Sequence, residues 1–170
     1  MSEDTDPALW TAAALGRTEE AWRLLADGAD IEEKSGPTEC TPLQAAASQD
    51  HEGVVIMLVD EGASVSCENR DGATPLHHVA LNGNEGMVPI LLEHGAEVSA
   101  TDIDGVAPIH YAASGGHDEI VTLLLENNAD ISAKTNNGGT PLHYAAVKGH
   151  ATTTRLLLQH GADVSATATN

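Results

Sequence analysis

The sequence predicts an all-α solenoid of stacked helix pairs with β-hairpin loops projecting from one edge. Three observations lead there. The segments TPLQAAA at 41, TPLHHVA at 74, APIHYAA at 107 and TPLHYAA at 140 recur at intervals of 33 residues. A second series, GADI at 28, GASV at 62, GAEV at 95, NADI at 128 and GADV at 161, trails the first by 21 wherever both occur. The third is composition: aromatics are 2 % of the chain and Phe is absent, so the core must be built from Ala, Leu, Val and Ile. Small side chains suit thin stacked layers, and a fixed period over four copies is the mark of units that bury their faces only against each other.

The copy starting at residue 69 shows the elements in order. Thr74 caps a short helix whose first residue, Pro75, needs no intrahelical donor. Leu76, Val79 and Ala80 form its packing face, and Gly83 ends it. A second helix is expected from about Glu85 to Glu93, burying Val88, Leu91 and Leu92, with Gly95 at a position calling for positive φ. Pro89 falls inside that helix and should bend or loosen it. AEVSATDIDG has no helical pattern and closes on Asp104-Gly105, a turn signal that fits a projecting hairpin.

The same pattern divides the chain into one domain of five units, about 5–35, 36–68, 69–101, 102–134 and 135–166. The first unit is degenerate but keeps Leu9, Ala12, Ala13, Gly16, Leu24, Leu25, Gly28 and Ala29. Glu20 in the first unit, and Thr153 and Thr154 in the last, stand where middle units carry Val54, Val55, Ile120 and Val121, so both ends are expected to be capped within the chain. Glu39 and Asp50 replace glycines found at 72, 105 and 138 and at 83, 116 and 149, which predicts a distinct shape for the loop from Glu32 to Cys40.

With these positions in view, residues 5–166 resemble an ankyrin-repeat domain, whose repeat reads here as DGATPLHHVALNGNEGMVPILLEHGAEVSA. The resemblance implies a curved stack that most often binds another protein, using hairpin tips and the exposed positions of the first helices. Transferred to this chain, the tip candidates are Arg70, Asp71, Ile103, Asp104, Asn136 and Asn137. The candidates on the concave side are Ala73, His78, Leu81, Asn82, Val106, Tyr111, Ser114, Tyr144, Val147 and Lys148. Ile103 is the most informative, because burying an exposed isoleucine under a partner gains roughly 1 to 2 kcal/mol. The resemblance also implies that His77, His110 and His143 stabilise turns through hydrogen bonds. Gln44 keeps that capacity, whereas Trp10 departs from it, as expected of a terminal unit with no preceding turn to bind. The family's asparagine hydroxylation is disfavoured, since Ser66, Ser99, Ser132 and Ser165 occupy the matching position.

Chemistry beyond binding finds little support in the residues. Histidines repeated once per unit lie about 10 Å apart, the spacing of packed helices, whereas zinc ligands converge to about 2 Å from one centre. His117 and His150 fit turn bonding, and His94 and His160 sit where a histidine can meet helix-end carbonyls. Cys40 and Cys67 stand alone, the serines form no nucleophile elbow, and the glycines form no phosphate loop. No enzyme activity, metal or cofactor is expected.

Twenty-six acidic residues against seven basic ones give a net charge of -19. That repels nucleic-acid backbones and anionic membranes while speeding encounter with a basic protein. The expected partner is therefore another protein, a basic surface being one option, and the unbound chain is expected to be a monomer. MSEDTDPALW has no basic-then-apolar leader, and the cysteine usage fits a reducing compartment, so cytosol or nucleus is expected. Beside a scaffold or adaptor, the acidity leaves open a chaperone that masks a basic client such as a ribosomal or chromatin protein.

Overall fold

The computed structural model describes residues 7–168; positions 5 and 6 of the first predicted unit lie outside them. Ten α-helices among these residues form five successive pairs. They are α1 (Ala8–Ala14) with α2 (Thr18–Ala26), α3 (Pro42–Ser48) with α4 (Glu52–Asp60), and α5 (Pro75–Asn82) with α6 (Met87–Glu93). The last two pairs are α7 (Pro108–Gly115) with α8 (Asp118–Glu126), and α9 (Pro141–Lys148) with α10 (Ala151–Gln159). The first helices pack in sequence, α1 on α3, α3 on α5, α5 on α7 and α7 on α9, and the second helices form a parallel layer behind them. None is long and apolar enough to cross a membrane.

The core is the thin one that the composition requires. Leu43, Leu76, Ile109, Leu58, Leu91, Leu124 and Leu157 are buried in the layer between the helices, with Ala46, Ala47, Ala80, Ala112 and Ala113 where first helices touch. Alanine there lets neighbouring helices approach closely, so each unit borrows its apolar cover from the next.

The first helices begin as the sequence indicates. Thr41, Thr74, Ala107 and Thr140 are extended caps followed by proline. Gly83, Gly116 and Gly149 close α5, α7 and α9 in the left-handed conformation. Glu39, Asp50 and Asn128 also have positive φ, and each occupies a position that is glycine in other units. The backbone period is thus kept even where the residue that suits it is absent.

Three expectations need correction. The projecting loops are not β-hairpins: the described residues contain no strand, only an isolated antiparallel bridge between Ser35 and Cys40. The side chains explain why. Asn69 Oδ1 accepts the amides of Asp71 and Ala73, and Asp102 Oδ1 accepts those of Asp104 and Val106. These turns consume the donors that a two-stranded ladder would need.

Pro89 loosens its helix only at the start. It lies three residues into α6 because that helix starts at Met87, whereas α2, α4, α8 and α10 are each nine residues long and α6 is seven. A proline in the first turn loses no intrahelical bond, so the helix yields its first two residues and begins where the ring is tolerated. Asn84 Oδ1 accepts from the Met87 amide at 3.2 Å and takes up one orphan donor.

Thr153 does not cap the last unit. It is buried and donates to Asp118 of the preceding pair at 2.5 Å, so its polarity serves an internal junction. Thr154 is half-buried, and its hydroxyl bonds the carbonyl of His150.

Candidate functional site

Two series of side chains clamp the stack. In the first, the Thr74 amide donates to His77 Nδ1 at 3.0 Å, which fixes the proton on Nε2, and Nε2 donates to the Val106 carbonyl of the next unit at 3.1 Å. His110 repeats this between the Ala107 amide and the Ala133 carbonyl. Gln44 does the same work with an amide: its oxygen accepts from Thr41 and its nitrogen donates to the carbonyls of Cys67 and Ala73. Burial pushes His77 and His110 below the ordinary histidine range, and the carbonyl bonds only partly oppose it. These links reach forward to the following turn. Trp10 therefore does not differ for want of a preceding turn; its ring lies against Gly36 in the loop ahead, and its Nε1 is buried without a partner.

In the second series Nε2 of His51, His117 and His150 donates backward, to the carbonyls of Ala14, Leu81 and Ser114 at 3.1, 3.1 and 2.9 Å. His94 and His160 instead bond carbonyls of their own helices. Among the described residues no group of three or more His, Cys, Asp or Glu side chains could hold a metal ion.

The candidate surface residues separate into three groups. Ala73 and Val106 are each only 8 % exposed, so they are not on the open surface: their carbonyls serve as acceptors for Gln44 and His77, which draws them inward. A second group is half-buried and engaged in the stack. The Tyr111 ring stands edge-on to His77 and its hydroxyl donates to Asp102 at 2.8 Å; burial and that carboxylate raise the phenol far above its ordinary pKa. Tyr144 packs edge-on to His110, and Ser114 gives its carbonyl to His150. His78 is half-buried with Nε2 unpaired, and burial, aided by neighbouring His77, lowers it to about 4. Asn82 is exposed, but its amide donates to the carbonyls of Ala47 and Ser48.

The third group faces solvent. Arg70, Asp71, Ile103, Asp104, Asn136 and Asn137 are exposed at the tips, and Leu81, Val147 and Lys148 on the first helices. Neighbouring tips are tied together: Arg70 N–H donates to Thr38, Ile103 N–H to Asp71, and Asn136 N–H to Asp104. The Asn136 side chain adds a bond to the Ile103 carbonyl. Ile103 thus presents 66 % of its surface from a backbone fixed on both sides, with Leu81 at 49 % and Val147 at 83 %. Ser114, His143, Tyr144, Val147 and Lys148 line a groove of about 390 Å³ beside them. Sequence reasoning missed Asn69, Asp102 and Thr135, which hold the tips; their signal was a polar acceptor at one position of the period.

This is a helix-pair repeat scaffold, with polar clamps inside and a fixed, partly apolar edge outside. The family described as ankyrin repeats, in three copies, matches residues 9–102 and 97–168, and the chain belongs to it. Repeats of this family typically act as non-catalytic scaffolds for protein–protein interaction. No curated protein matches the chain.

Proposed function

We infer that this chain is a protein-interaction scaffold or adaptor that grips its partner with the loop tips and the exposed first-helix positions of units three to five. The observation that carries this reading is the exposure of Ile103 on a tip held by hydrogen bonds from both neighbouring tips. A large apolar side chain on a preordered backbone loses little entropy when covered, which makes it an efficient anchor. Leu81 and Val147 extend the apolar contact, and Arg70 and Lys148, which make no ion pair among the described residues, are available to a partner's carboxylates. The test is capture of a partner from source cells, followed by Arg70→Glu, Lys148→Glu and Ile103→Asp combined. Affinity should fall at least tenfold with the fold intact; unchanged binding overturns the assignment.

The excess of acid supports a second reading, a chaperone that masks a basic client. Exposed charge attraction is screened by salt, so such a complex should weaken steeply between low and physiological ionic strength. A salt-independent affinity rejects it.

A further inference from the structure

We propose that the second-helix face of units one to three is a further docking surface, and that its occupant is a helix of another protein with leucine-like side chains on one face and lysine or arginine on both flanks. An apolar row crosses this face. Trp22 and Ile56 are the fifth residues of α2 and α4, Pro89 holds the matching place in the shortened α6, and all three are exposed. Trp22 is 54 % and Ile56 38 % exposed, whereas the other aromatic side chains, Trp10, Tyr111 and Tyr144, are half-buried. Beside Pro89, Leu92 and Leu123 line a groove of about 290 Å³ between α6 and α8. The helices keep one register along the row. The Thr18 hydroxyl lies 3.5 Å from where a Cβ on Gly53 would stand, and the Glu52 carboxylate 3.3 Å from the matching point on Gly86, so the step from α2 to α4 is repeated from α4 to α6. Packed helices stand about 10 Å apart, and seven residues of an α-helix rise about the same distance. One helix laid across the row therefore brings every seventh side chain over Trp22, Ile56 and Pro89 in turn. An extended strand, whose side chains on one face recur at steps of about 7 Å, misses that spacing.

Charge sets the flanks. Residues four apart lie on one face of a helix, which puts Glu52 and Asp60 on either side of Ile56 and Glu93 beside Pro89, all exposed. Glu85, also exposed, stands on the Glu52 side just ahead of α6. No Lys or Arg occurs in α4, α6 or α8. The ion pairs among the described residues are Arg17–Glu20 and Arg23–Glu19, so none of these four carboxylates is neutralised. Arg23, next to Trp22, is turned toward Glu19 at 3.9 Å. The Trp22 ring offers a partner's cation its face as well. Beyond Pro89 the row passes to Thr122 and then to Arg155, which confines the basic occupant to the first three units. The front layer is the opposite: α1, α3, α5, α7 and α9 contain no Asp or Glu. No tip or first-helix residue takes part here, so this surface stands apart from the edge assigned above to the scaffold's partner. A second copy docked through the same face would set carboxylates against carboxylates.

The test uses the whole chain at physiological ionic strength and two labelled synthetic helices with leucine at every seventh position, one flanked by lysine and the other by glutamate, read by fluorescence anisotropy. The leucine–lysine helix should bind, and Trp22→Ser with Ile56→Ser should weaken it at least tenfold. Glu52→Lys with Asp60→Lys should shift the preference toward the leucine–glutamate helix, while Ile103→Asp should leave binding unchanged. Circular dichroism and the urea midpoint verify that these variants, all at exposed positions, remain folded. The proposal is overturned if the leucine–lysine helix does not bind, if the leucine–glutamate helix matches it, or if the charge reversal leaves the preference as it was. Equal binding to the serine variant overturns it too, since attraction is then by charge alone, and so does a loss in Ile103→Asp, since the helix is then on the front edge. Sedimentation showing that the chain alone dimerises, and that the serine variant does not, would make the occupant a second copy and overturn it equally.

Discussion

The junction between units two and three and the junction between units three and four hold the same backbone together with different side chains. At the second of these, the His117 ring lies over Gly83 and bonds the Leu81 carbonyl; a Cβ added to Gly83 would fall 2.5 Å from the ring. At the first, glycine is replaced by Asp50, still at φ 64°, and histidine by Asn84, whose amide donates to Asp50 at 2.6 Å. The carbonyl left without its imidazole, Ser48, is taken by Asn82 at 2.9 Å. Glycine and histidine are therefore exchanged as a unit. What the fold needs is a donor to that carbonyl and room for it, and an imidazole is one of two solutions found in the same molecule.

The glycine–histidine exchange is most sensitive at Gly83. Gly83→Asp places a side chain into the His117 ring at a left-handed backbone position, and should cost about 3 to 4 kcal/mol in urea unfolding. Adding His117→Asn to that variant should recover at least about 1 kcal/mol as coupling between neighbours, while Asp50→Gly alone should change stability by less than about 1 kcal/mol.

Next in size is the forward series. His77→Leu strands the Thr74 amide and the Val106 carbonyl, and should cost about 2 to 3 kcal/mol. His77→Gln, which copies Gln44, should cost less than about 1.5 kcal/mol by the same measurement. Equal losses for the two would mean that the ring, not its hydrogen bonds, is what the site requires.

The unpaired His78 makes a pH prediction. Its folded pKa of about 4 lies below the ordinary unfolded value near 6.5, so the unfolded chain binds the extra proton and stability falls with pH across that window. The loss by the lower end should reach about 2 to 3 kcal/mol, and lowered His77 and His110 act in the same direction. His78→Tyr, the residue found at 111 and 144, should flatten the pH profile of the unfolding midpoint.

The smallest effect belongs to Pro89→Ala. It should let α6 start two residues earlier, seen as slower amide exchange in the first turn, with a gain of less than about 1 kcal/mol.

The helix pairs and their caps were legible because proline, glycine and the apolar positions recur at one period. The loops were less so. Asp104-Gly105 reads as a hairpin turn, but the deciding residue is Asp102, whose carboxylate takes two amides and the Tyr111 hydroxyl, and no local signal separates that from a solvated acid. Asn82 is exposed, but its bonds to the Ala47 and Ser48 carbonyls depend on Asn84, and that dependence is visible only when one junction is set against another. Ala73 and Val106 were placed outside because the period locates a side chain on an element without stating how far the neighbouring unit covers it. Leu81, Ile103, Val147, Arg70 and Lys148 are exposed, as their places in the repeat predict.

The central division, imidazoles for the fold and exposed edge for recognition, is tested most directly by one crossed measurement. His77→Leu and Ile103→Asp are compared for urea stability and for affinity to the same captured partner, under conditions where both are folded. His77→Leu should lose stability and keep the partner, whereas Ile103→Asp should keep stability within about 0.5 kcal/mol, as surface changes do, and lose affinity at least tenfold. Full affinity in folded Ile103→Asp, or abolished affinity in folded His77→Leu, would contradict it.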